Sequence, residues 1–96
     1  MNQKDILGNR NLTLFLKSQP VLRAYLFGSY ARNDPAQDSD IDLLVDLDEC
    51  VDLFQFIAIK QKLEEILNKK VDLISSNGVL ENIKPFIDKE KILIYE

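Results

Sequence analysis

The sequence predicts an α/β (α+β) fold in which helices pack against a small mixed β-sheet. Three observations carry this. Segments 21–27 and 41–47 are apolar and strand-like, the second with polar and apolar residues alternating at its start. Segment 52–68 repeats its apolar residues at helical spacing. Strand-like and helix-like segments are interspersed along the chain rather than grouped, which suits a sheet carrying helices on its faces.

Each element has a local reason. Near the N-terminus, Ile6, Leu7, Leu12, Leu14, Phe15 and Leu16 are interrupted at Gly8-Asn9, so a helix is expected over 11–17. Ser18-Gln19-Pro20 ends it, because proline restricts the residue before it and lacks the amide a helix needs. Residues 21–27 form the first strand, 29–32 the first turn of a short helix, 33–39 a loop containing Pro35, and 41–47 the second strand. In 52–68, Leu53, Phe56, Ile57, Ile59 or Lys60, Leu63, Ile66 and Leu67 make one broad apolar stripe. Asp48 or Asp52 is placed to cap that helix, and Lys69 and Lys70 suit its C-terminal dipole. A third strand is expected over 71–74, closed by the turn-forming Ser75-Ser76-Asn77-Gly78. A helix interrupted by Pro85 follows over 80–89, then a final strand over 91–95.

Composition narrows the function classes. Ninety-six residues, 46% hydrophobic and 29% charged, describe one ordered domain spanning 1–96, near the small end of what folds around a single core. The net charge of −4 opposes unaided binding to DNA or RNA, which relies on clustered lysine and arginine. The chain contains no apolar run of membrane-spanning length and no charged-then-apolar leader, so a cytoplasmic protein without membrane attachment is expected. Its single cysteine, Cys50, cannot form an internal disulfide and is read as inert. With no histidine, acid–base chemistry must fall to other groups, and histidine-ligated zinc is excluded.

The informative stretch is 26–47, LFGSYARNDPAQDSDIDLLVDL. In a strand, residues i and i+2 share a face, so Asp40 and Asp42 point one way while Ile41 and Leu43 point into a core. Two close carboxylates repel unless something compensates them. No basic residue lies between Asn33 and Ile59, whereas Asp34, Asp38, Asp40, Asp42, Asp46, Asp48, Glu49 and Asp52 all do. A hard divalent cation is the simplest compensation, and Mg²⁺ favours a couple of carboxylates plus substrate phosphates. Upstream, Gly28 ends a strand where backbone amides can approach an anion, and the Ser29 hydroxyl can donate to a phosphate oxygen. Phosphate cradle and carboxylate pair together suit metal-assisted phosphoryl or nucleotidyl transfer.

Gly28-Ser29-Tyr30-Ala31-Arg32 followed by Ser39-Asp40-Ile41-Asp42-Leu43-Leu44-Val45 resembles the signature of the DNA polymerase beta nucleotidyltransferase superfamily. More narrowly, it is similar to the minimal nucleotidyltransferases (MNT), several of which are antitoxins paired with HEPN-domain toxins. The likeness runs on through Val71-Asp72-Leu73-Ile74 to the last strand, and so covers nearly the whole chain. One position departs from the pattern: Asn33 stands where the family usually has glycine. Asparagine tolerates a left-handed backbone better than most residues, so the substitution reads as mild.

The resemblance implies a polymerase-beta-like nucleotidyltransferase fold and assigns roles. Asp40 and Asp42 would hold Mg²⁺. Asp72, set in an apolar strand facing the same cleft, would share a metal and help deprotonate the attacking hydroxyl, a task for which no histidine is available. Gly28 and Ser29 would hold the triphosphate of ATP. Arg32 either reaches a phosphate or pairs with Asp34 or Asp38; Ser39 either bonds a phosphate or metal-bound water, or caps its turn. Phe27 and Tyr30 are packing residues. Larger relatives add a helical domain for the acceptor, for which few residues remain here, so the acceptor is expected on a partner. The leading expectation is an antitoxin that transfers AMP from ATP to a tyrosine of a HEPN-type ribonuclease toxin, in a hetero-oligomer with that toxin. The alternatives are an antitoxin that masks its toxin by contact alone, and the catalytic subunit of a small-molecule nucleotidyltransferase.

Overall fold

A four-stranded mixed sheet, ordered β3-β2-β1-β4, forms the centre of the molecule. The computed structural model describes residues 1–36, 38–48 and 50–96; Gln37, in the expected 33–39 loop, and Glu49, in the acidic run, lie outside the described residues. In chain order the elements are α1 (Gln3–Leu7), α2 (Arg10–Lys17), β1 (Val21–Phe27), β2 (Ile41–Leu47), α3 (Leu53–Leu67), β3 (Val71–Ser75), a 3₁₀ turn (Ser76–Gly78), α4 (Lys84–Glu90) and β4 (Ile92–Tyr95). β1 runs antiparallel to both β2 and β4, while β2 and β3 are parallel and joined through α3. Parallel neighbours need such a crossover connection.

The alternation of the strands sorts their side chains onto two faces. Ala24 and Leu26 of β1, Ile41, Leu43 and Val45 of β2, and Val71 and Leu73 of β3 are buried. They share one core with Ile6 of α1, Leu12 and Leu16 of α2, and Ile59, Leu63 and Leu67 of α3. The opposite face carries Arg23, Tyr25 and Phe27 opposite Asp46, Leu44 and Asp42, with Asp72 beside Asp42. Part of this second face lies beneath α4, where Leu44, Asp46, Ile87, Asp88 and Lys91 line a cavity of about 240 Å³. Among the described residues, no helix is long and apolar enough to cross a membrane.

Helix ends follow their capping chemistry. Asn2 caps α1 through a reciprocal capping box with Asp5, and Asn9 caps α2 through Leu12 N–H. Of the two candidates for α3, Asp52 makes the cap, accepting from Gln55 N–H at 2.8 Å. Asn68 then ends that helix in the left-handed region, φ +50°.

Four expectations are corrected. Residues 28–33 form hydrogen-bonded turns, with Arg32 N–H donating to the Gly28 carbonyl and Asp34 N–H to that of Ser29, so the expected helical turn does not continue into a helix. A short helix precedes Gly8, where Ile6 reaches the core. Pro85 does not interrupt a helix over 80–89: α4 begins at Lys84, so the proline sits in its first turn, where a missing amide costs nothing. On α3, Leu53 and Ile57 lie outside the core, at 68% and 42% exposure, and burial runs instead through Phe56, Ile59, Leu63, Ile66 and Leu67.

Candidate active site

The site forms where β1 ends and β2 begins. Cα partners Phe27↔Asp42 and Asp42↔Asp72 set Asp42 between the end of β1 and the second residue of β3. Paired residues point to the same side of a sheet, so the Asp42 and Asp72 side chains emerge together on the face opposite the core. Asp40 lies just before β2 and is exposed, as is Asp72; Asp42 is half-buried.

Gly28 is fixed by two constraints. Its φ of +75° lies in the left-handed region, and a Cβ built there would overlap Asp42 Oδ2, with Asp42 Cγ at 3.0 Å. The glycine thus lets the Asp42 carboxylate lie directly against the backbone of the turn. Asn33 closes that turn at φ +61°, the left-handed conformation its identity allows. Tyr30 anchors the turn in the core at 2% exposure. Gln3 Nε2 of α1 donates to the Tyr30 and Ala31 carbonyls at 3.1 and 3.0 Å.

Acidic groups crowd this end of the sheet. Burial, then the Asp72 and Asp40 carboxylates, push the Asp42 carboxyl up to about 6, with Arg32 opposing. Arg32 pairs with Asp34 at 3.6 Å, as the sequence allowed, and with Glu90 at 3.1 Å, which it did not suggest. Glu90 Oε1 also accepts from the Gly28 amide at 3.1 Å. Ser39 caps its turn, its Oγ accepting from Ala36 N–H at 2.8 Å. Ser29 is half-buried beside Gly28, and Cys50 is an exposed free thiol.

The donor set suits a hard cation: all-oxygen carboxylate ligands, one destabilised by its neighbours. Among the described residues no three carboxylates converge tightly enough to cage an ion.

The residues that the sequence singled out are therefore gathered at one end of the sheet. Gln3 and Glu90 escaped notice. Each acts across a long separation, 27 and 28 residues for Gln3 and 62 for Glu90, with no local motif to mark it.

A glycine turn thus lies against strand carboxylates at one end of a mixed sheet. Residues 10–96 match the family model described as polymerase beta, nucleotidyltransferase, and the chain belongs to that family. It is a nucleotidyltransferase by this membership and by its relatives. A candidate protein adenylyltransferase of Methanocaldococcus jannaschii is 38% identical over 92 residues, covering 96% of this chain and 97% of the relative. The protein adenylyltransferase MntA of Thermococcus cleftensis is 35% identical over 69 residues, covering 72% and 70%. Among solved structures, one described as a candidate minimal nucleotidyltransferase superposes with a TM-score of 0.83 at 30% identity, covering 96% of this chain and 95% of its own. The complex of a tri-AMPylated HEPN toxin with its MNT antitoxin, from Shewanella oneidensis, contains a chain with TM-score 0.70 at 22% identity, covering 95% and 71%. At that identity the likeness is one of fold.

Proposed function

We propose that this nucleotidyltransferase is the antitoxin of a toxin–antitoxin pair and transfers AMP from ATP to a tyrosine hydroxyl of a HEPN-type ribonuclease toxin. The observation that carries the transfer reading is the contact of Gly28 with Asp42, which sets the glycine backbone beside the Asp42–Asp72 pair. Relatives named as protein adenylyltransferases over most of the chain support a protein acceptor. The AMPylated toxin in the Shewanella complex supports a HEPN partner.

The residues divide the work. The Gly28 amide and Ser29 hydroxyl would donate to the β- and γ-phosphates, with Arg32 beside them and Ser39 holding the 36–39 turn. Asp40, Asp42 and Asp72 would hold Mg²⁺, which when bound offsets charge on the α-phosphate and the departing pyrophosphate. Asp72, exposed on the strand beside Asp42, would accept the acceptor's proton. The acceptor oxygen forms a bond to the α-phosphorus as the bond to pyrophosphate breaks. The added phosphodiester places bulk and negative charge on the toxin, which opposes RNA binding.

The test is transfer from ATP labelled at either the α- or the γ-phosphate, with the co-expressed partner as acceptor. Label from the α position alone should enter the partner, and Asp40→Asn/Asp42→Asn should abolish it. Entry of γ label would make the protein a kinase and contradict the proposal.

A further inference from the structure

The donors expected to receive a nucleotide's phosphates already hold an anion of the protein's own. Glu90, the last residue of α4, accepts from the Gly28 amide at 3.1 Å through Oε1. Both its carboxylate oxygens accept from Arg32 Nη1, at 3.4 and 3.1 Å. These are the amide of the left-handed glycine and the guanidinium of the turn that follows it. A carboxylate held by two donors, one of them a half-exposed guanidinium, can give way to another anion. A polyphosphate offers the same donors more charge and more oxygens, and arrives with its own cation.

We propose that Glu90 is an internal phosphate mimic that occupies the Gly28–Arg32 anion site, so that the triphosphate of the substrate must displace it to bind. The inference rests on the nucleotidyl-transfer reading and adds to it a residue that sets nucleotide affinity. Its arithmetic is that of competition: if the Glu90 contact is engaged about nine-tenths of the time, the apparent Kd for triphosphate is raised about tenfold. Displacement also frees the C-terminal end of α4, which Glu90 ties to the turn after β1.

The experiment measures the affinity of the full chain for inorganic triphosphate and for ATP, each with Mg²⁺, by calorimetry. Glu90→Ala should bind both about tenfold more tightly than the unmodified protein, with Glu90→Gln between them, since the amide keeps an acceptor but loses the charge. A purely structural Glu90 would instead lower Tm on removal and leave Kd unchanged or weaker, which overturns the proposal. If unmodified protein transfers AMP yet Glu90→Ala gains no affinity, Glu90 competition alone falls. If no form takes up triphosphate at millimolar concentration, the transfer reading falls with it. Should the variants fold poorly, the ¹³C resonance of the Glu90 carboxyl in unmodified protein gives the answer. It should shift as triphosphate saturates the site, and a resonance that stays fixed contradicts displacement.

Discussion

Gly28 has no substitute at this position, for reasons of both conformation and space. Alanine there would adopt a left-handed backbone at a cost of about 1–2 kcal/mol, and its methyl would overlap Asp42 Oδ2. We expect Gly28→Ala to lower Tm by several degrees. Because a misplacement of about 1 Å near the chemistry costs on the order of a hundredfold in rate, transfer should fall by at least about that factor. Calorimetry together with single-turnover transfer would check both, and a stable, fully active variant would contradict the packing described. Asp42 gives the opposite sign in the absence of metal. Its carboxyl, pushed up to about 6 from an ordinary 3.8 by burial and then by Asp72 and Asp40, binds a proton more readily folded than unfolded. Stability therefore rises as pH falls from above 6 towards 4, and the charged form costs the fold most above pH 6. The group is only half-buried, so solvent screening reduces the cost to about 1 kcal/mol. Asp42→Asn should raise the metal-free Tm at neutral pH by about 4 °C, a gain that disappears near pH 4. Mg²⁺ should stabilise the unmodified protein and not the variant. A lower Tm for Asp42→Asn at neutral pH would contradict this account. The shared face of Asp42 and Asp72, opposite Ile41 and Leu43, and the left-handed turn at Gly28 are legible because strand alternation and glycine chemistry act within a few residues. Gln3 and Glu90 are not, since a contact spanning 62 residues leaves no local pattern.

At the scale of elements, α3 shows what helical spacing can and cannot say. Leu63 is fully buried, whereas Phe54 on the same helix is 84% exposed. Leu63→Ala should cost about 2–5 kcal/mol through lost burial and the cavity left behind, while Phe54→Ala should stay within about 0.5 kcal/mol. Urea unfolding distinguishes them, and equal losses would contradict the assigned face. The apolar stripe located the helix and its cap because periodicity and capping are local. It over-assigned Leu53 and Ile57 because residue type records what a position tolerates, not whether another element packs on it. Pro85 misled in a related way. A proline is disfavoured in a helix interior but tolerated in the first turn, so the same residue that suggested an interruption sits at the start of α4.

At the scale of the whole molecule, function depends on a strand order that no single segment encodes. Placing β2 between β1 and β3 is what brings the glycine turn, Asp42 and Asp72 to one end of the sheet. The sequence indicated a mixed sheet through its interspersed elements. The register that pairs Asp42 with Asp72 agrees with burying Ile41, Leu43, Val71 and Leu73 on one face, since a slip of β3 by one residue would turn Val71 and Leu73 outward. The carboxylates are held together by the same packing that makes the core. The central claim is that this arrangement modifies a partner protein, and the most direct test is the intact mass of whatever protein co-purifies with the chain after incubation with ATP and Mg²⁺. The account predicts a partner heavier by one or more AMP units, and no gain with Asp40→Asn/Asp42→Asn. A tightly bound partner of unchanged mass would contradict it and leave masking by contact as the mode of action.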